Sequence, residues 1–144
     1  MKSLFKIFFL ILFINGYYLT SAQTIGVIYT KAEAYQKFGP VADSVKMDTD
    51  QLNTLLSKSG KYLLFKINKG NLYILDENRK PLYPADFSVK PEEVYKIVSI
   101  SKIKELLNKE QNQKVSFEAR KNVYSLTSGN FTLEEIVNCP PFCN

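Results

Sequence analysis

The chain has 144 residues, with 19 Lys and Arg against 14 Asp and Glu, and contains neither His nor Trp. Without His there can be no His-based triad, His zinc site or His general base, and the lack of Trp weakens the case for a sugar-stacking surface. The net charge of +5 is scattered rather than striped, so nucleic acid is not an expected partner.

Lysines number 17 and arginines 2, beside abundant Asn, Ile, Tyr and Phe. An AT-rich genome produces such a bias, so a single Lys carries little information. Lys2 and Lys6 precede an apolar run from Ile7 to Leu19, and Thr20, Ser21 and Ala22 follow before Gln23. A basic start, an apolar middle and small residues at the −3 and −1 positions predict a secretory signal peptide over 1–22. The run falls short of the ~20 apolar residues of a membrane span, and no stop-transfer pattern follows. No transmembrane segment is therefore expected after cleavage, an uncleaved anchor being the alternative. No Cys follows the cleavage region, which argues against a lipoprotein anchor. The Ser-Ala-Gln-Thr ending resembles that of many exported proteins of Bacteroidota. The expected product is 23–144, one α+β domain with a Cys-x3-Cys tail, secreted or periplasmic and bacterial. Removing Lys2 and Lys6 leaves 17 basic against 14 acidic residues.

In chain order, Thr24–Tyr29 reads as a strand. Thr30 with Glu33 forms a capping box, opening a helix through Tyr35 and Phe38 that Gly39 and Pro40 end. Asp48 with Gln51 marks the next helix, with Leu52, Leu55 and Leu56 as its buried stripe and Gly60 as its end. The segment from Val45 to Leu56 resembles the second helix of small envelope modules such as outer-membrane assembly lipoproteins; it lacks their glycines and identifies no family.

Gly60 to Asp76 is the best-specified stretch, two apolar and aromatic runs flanking a turn at Gly70, the pattern of a β-hairpin. Leu63, Phe65 and Ile67 share one face, and Tyr62, Leu64 and Lys66 the other. A two-residue loop, Lys69-Gly70, sets Ile67 opposite Leu72 and Phe65 opposite Ile74. A three-residue loop, Asn68 to Gly70, sets Phe65 opposite Tyr73. Lys suits the positive φ of a type I′ turn poorly, so the three-residue loop is expected.

Residues 77–91 read as a proline-punctuated loop with an extended piece at Leu82-Tyr83. Glu93–Ile100 reads as a strand, Ser101 as the cap of a helix bearing Ile103, Leu106 and Leu107, and Gln113–Ala119 and Val123–Thr127 as strands. Thr132 with Glu135 forms a capping box for a last helix, against a competing strand with Leu133 and Val137 facing inward. The expected fold is α+β, a small antiparallel sheet of about five strands with helices packed mainly on one face.

Candidate chemistry is sparse. Cys139 and Cys143, the only cysteines, are expected to form a disulfide in an exported chain. A redox pair or a two-thiolate Cu(I) site is the alternative, although the three-residue spacing and Pro140-Pro141 fit a thioredoxin-like site poorly. Ser99 to Lys102 and Ser101 to Lys104 match S-x-x-K without the rest of that machinery. Asp76 to Asn78 starts like a calcium loop, which Lys80 and Pro81 break. Glu92-Glu93 and Glu134-Glu135 read as carboxylates at element starts, favouring a helix dipole. Asn130 to Thr132 is a glycosylation sequon of consequence only in a eukaryotic source. No cofactor and no metal is expected. The sequence points to a non-enzymatic exported binding module: an inhibitor, an accessory subunit or an envelope-associated protein. Its partner would be an unknown protein or envelope component, and Tyr62, Leu64, Tyr73, Arg79, Tyr83 and Phe87 are the candidate contact surface. The alternative is a small enzyme with Asp43, Asp48 or Asp76 as acid/base.

Overall fold

The computed structural model describes residues 23–121 and 123–139. The expected signal peptide over 1–22 and Cys143 lie outside the described residues. The elements are β1 (Val27–Thr30), α1 (Lys31–Phe38), β2 (Val41–Asp48), α2 (Thr49–Leu56), β3 (Tyr62–Asn68), β4 (Asn71–Leu75) and β5 (Pro81–Tyr83). Then come β6 (Tyr95–Ser99), α3 (Ile100–Lys109), β7 (Lys114–Arg120), β8 (Tyr124–Ser128), β9 (Phe131–Glu134) and β10 (Val137–Cys139).

The structure is mostly β. Where one sheet of about five strands was expected, there are two antiparallel sheets of five, ordered β1-β9-β8-β7-β2 and β10-β6-β3-β4-β5. The extra strands come from two places. Val41 to Asp48, of which the sequence suggests only a helix cap at Asp48 and a resemblance to a helix from Val45 on, forms β2 along β7, with a bulge near Asp43. The expected last helix is replaced by β9 and β10, the competing strand reading. Leu133 then sits opposite Leu126 in the core, and the hydroxyls of Thr132 and Thr127 meet at 3.0 Å across the ladder. Burial of Leu133 against a cross-strand partner outweighs a helix signal that rests on two residues.

The main core lies where the inner faces of the two sheets meet. Val115, Phe117, Leu126 and Leu133 face Leu63, Phe65, Ile74 and Val98. Phe65 meets Phe117 edge-on at 5.1 Å and Tyr124 at 6.2 Å. Leu52, Leu55 and Leu56 of α2 and Ile100, Ile103 and Leu106 of α3 join the same cluster. α1 buries only Ala34, which lies outside it.

The cap readings divide. Thr30 and Glu33 form the complete capping box, and Gly39 ends α1 at φ +82°. Asp48 stands at the N-cap of α2 without a side-chain cap bond, its carboxylate instead 3.7 Å from the Lys114 ammonium. α3 begins two residues earlier than Ser101 implies, with Ser99 at the cap. The Ser99 hydroxyl accepts from the Ile25 N–H at 2.7 Å, so it ties the N-terminal segment to the sheet instead of capping the helix.

The hairpin register corrects the expected loop. Ile67 pairs Leu72 and Phe65 pairs Ile74, leaving Lys69-Gly70 as a two-residue turn at φ +50° and +74°. A left-handed Lys costs about 1–2 kcal/mol. Slipping the register would turn Leu72 and Ile74 out of the core, which costs more. Burial decides the register.

Candidate functional site

The outer face of the second sheet carries the predicted contact residues, and the chain folds back over most of it. Leu64, Leu75, Tyr95 and Ile97 are buried beneath Ile25, Phe87, Val89 and Val137. Leu64 has no exposed surface, so it drops out of the contact surface. Tyr83 drops out as well. It pairs with Ile74 on the inner face and packs against the main core. Tyr62 is half-buried, and its hydroxyl donates to the Gln23 carbonyl at 2.9 Å.

Two of the predicted residues do meet. The Tyr73 and Phe87 rings pack edge-on at 5.0 Å, both half-buried. With Tyr95 they line a groove of about 450 Å3, with Asn68, Lys90 and Glu93 around it. The groove exists because Arg79 fastens the loop that forms its wall. Its guanidinium donates to the Glu93 carbonyl at 2.8 Å and the Lys90 carbonyl at 3.2 Å, lies 5.3 Å over the Tyr95 ring and reaches within 3.8 Å of Cys139 Sγ. The turn that delivers Arg79 is built by Asp76, whose Oδ1 accepts from the N–H groups of Asn78 at 2.9 Å and Lys80 at 2.8 Å. Arg79 is thus a clamp beneath the groove.

Beside the rings, three polar side chains join one another. Lys66 forms an ion pair with Glu93, and the Tyr95 hydroxyl donates to Glu93 at 3.0 Å. The Lys66 ammonium holds the Glu93 carboxyl below its ordinary range, while burial, then the bond to Glu93, pushes the Tyr95 phenol up to about 12. The rings therefore surround a charge pair that is already satisfied. A partner laid on them gains apolar contact without leaving a bare charge beneath it. Glu93 and Tyr95 escape a sequence reading because only the loop fold brings them to Tyr73; the face of Lys66 was legible from its alternation with Leu64.

The acid/base candidates do not assemble. Asp43 accepts from Gly70 N–H at 3.3 Å by the hairpin turn, whereas Asp76 lies at the far end of β4, roughly 20 Å along the strand. Asp48 stands at the other end of β2 from Asp43. It lines a depression of about 780 Å3 with Asp50, Asn53, Lys104 and Asn108. Among the described residues no cluster of three metal-ligating side chains occurs, and no helix is long and apolar enough to cross a membrane. Cys139 is buried opposite Tyr95.

One buried polar cluster has no counterpart in the sequence reading. On the outer face of the first sheet, Arg120 lies with Nε 3.2 Å from Glu134 and Nη2 3.3 Å from Glu118. It also donates to the Gly39 carbonyl. Glu134 is wholly buried, and desolvation pushes its carboxyl up to about 7 against the pull of Arg120. Glu134 is not a helix-start carboxylate; it is the last residue of β9 and is buried there. Compared with protein-family models, curated proteins and solved structures, the chain matches none of them.

Proposed function

We propose that the chain is an exported, non-enzymatic binding module that engages a protein or envelope component through the groove of Tyr73, Phe87 and Tyr95. The observation that carries this reading is the contrast across one face. Leu64, Leu75 and Ile97 are covered, yet Tyr73 and Phe87 stay half-exposed beside an open groove in which Glu93 is already paired with Lys66. Rigid aromatic rings at a surface are the residues from which interface hot spots are made. Mature domain incubated with the native envelope should recover a stoichiometric partner. Phe87→Ala and Tyr73→Ala should each weaken that capture roughly tenfold or more at a temperature where circular dichroism shows both variants folded, their melting temperatures falling somewhat because both rings pack against the cluster around Leu64. Undiminished capture by both variants would remove the groove from the interface. Turnover of an ester, glycoside or peptide library by the purified domain would replace binding with catalysis.

The same reading includes an oxidised tail. Export places Cys139 and Cys143 in a disulfide-permissive compartment, and the sequence offers neither another partner. Intact mass should then lie about 2 Da below the reduced value, with no thiol alkylated under denaturing conditions. Cys143→Ser should lower the melting temperature only slightly, because a five-residue ring removes little unfolded-state entropy. Two alkylated thiols in material from the native compartment would refute the disulfide and favour the redox or Cu(I) reading.

A further inference from the structure

β2 is the outermost strand of the first sheet and pairs on one side only, with β7. Its register fixes which backbone groups are free. The Thr49 N–H donates to the Gln113 carbonyl at 2.9 Å, two residues beyond the Met47–Val115 pair. Residues of that parity, Asp43, Val45 and Met47, therefore turn N–H and C=O toward β7. Ser44 and Lys46 turn theirs to the open edge. Among the described residues no other strand pairs this edge, and no loop backbone bonds to Ser44 or Lys46.

The side chains of the same two residues point to the outer face of the sheet. There a groove of about 420 Å3 runs beside the strand, lined by Lys31, Ser44, Lys46, Lys114, Ser116 and Thr127. Glu118 also lines it, but its carboxylate is engaged by Arg120. Lys31 and Lys46 form no ion pair among the described residues, and Lys114 has only the exposed Asp48 at 3.7 Å. An unpaired edge thus lies next to a cluster of uncommitted positive charge.

We propose that β2 is a docking edge for an extended acidic segment of a partner protein, which adds as a sixth strand to the first sheet. Its backbone meets the free N–H and C=O groups of Ser44 and Lys46. Its Asp or Glu side chains, at alternate positions, lie over Lys31, Lys46 and Lys114. A second copy of this chain fits less well, because β2 against β2 brings the two lysine-lined grooves together. Lysine on an open edge is a common guard against such self-pairing.

The test uses the mature chain and two synthetic extended peptides, one alternating Thr with Glu and one alternating Thr with Lys. Amide exchange is followed at Ser44 and Lys46. The Glu peptide at millimolar concentration should slow exchange at both amides, and added salt should reverse the effect. Ser44→Pro removes one free N–H without touching the β7 ladder and should abolish the protection. Lys46→Glu should weaken binding roughly tenfold with the edge backbone intact. Absence of protection at either amide, protection by the Lys peptide as strong as by the Glu peptide, or peptide-independent protection that rises with protein concentration would each overturn the proposal. If Ser44→Pro fails to fold, the wild-type exchange and Lys46→Glu affinity decide it.

Discussion

Phe65→Ala should lower the unfolding free energy by about 3–5 kcal/mol in urea, the usual cost of deleting a buried ring. Phe65 is fully buried on β3, the central strand of the second sheet, flanked by β4 and β6. Its ring meets Phe117 and Tyr124 from the first sheet, so truncation opens a void where neither sheet can close without disturbing its ladder. A domain of this size holds about 5–15 kcal/mol in total, so the variant should be partly unfolded at ambient temperature or melt far below wild type. Phe65→Leu, which keeps most of the volume, should cost much less. A loss below about 1 kcal/mol for the alanine variant would mean that the two sheets do not share this core.

The parts of the fold that were legible in the sequence are those in which local chemistry and burial agree. Thr30 and Glu33 cap α1 because nothing else competes for their oxygens. Leu52, Leu55 and Leu56 lie on the inward face of α2 at helical spacing, and the hairpin announces itself by alternation. The failures share a cause, since each is a place where a tertiary partner takes the group that the local signal assigned elsewhere. Ser99 bonds Ile25, and Lys69 accepts positive φ so that Leu72 and Ile74 stay inside. Thr132 and Glu134 read as a helix start and lie instead in β9, where Thr132 pairs with Thr127 and Glu134 with Val27.

The site divides in the same way. Alternation put Tyr62, Leu64 and Tyr73 on one face, but no local rule says that the loop after β5 returns to bury Leu64 and leave Tyr73 at a rim. The one hint lay in composition. In a chain with 17 lysines, the two arginines are the residues whose planar, multidentate geometry a lysine does not replace. Arg79 reaches two carbonyls, the Tyr95 ring and Cys139 Sγ, while Arg120 joins two carboxylates and a carbonyl.

Arg120→Met should cost about 3–5 kcal/mol at pH 8, because it strips from two buried carboxylates the cation with which both are paired. Even with Arg120 present the cluster is unbalanced. Glu118 and Glu134 bring two negative charges against one positive, and Glu134 has no exposed surface. Desolvation raises the folded-state carboxyl of Glu134 from 4.5 to about 7, so between these values the folded protein holds a proton that the unfolded chain has released. The stabilisation is complete below about pH 4.5, fades as the pH climbs toward 7 and is gone above it. The size of the fade is on the order of 3 kcal/mol. Glu134→Gln leaves Arg120 and Glu118 as a balanced pair and keeps a carbonyl oxygen for the guanidinium. This variant should therefore melt several degrees above wild type at pH 8 and lose the wild-type slope between pH 4.5 and 7. For Arg120→Met the sloping range should extend to higher pH, since Glu134 then loses the pull of Arg120 and keeps the repulsion of Glu118. Thermal melts of the three proteins at half-unit steps from pH 4.5 to 8.5 separate these outcomes. A Gln variant less stable than wild type at pH 8, with its slope retained, would show that Glu134 is ionised and well solvated in the folded protein, and that the pH response belongs to another group.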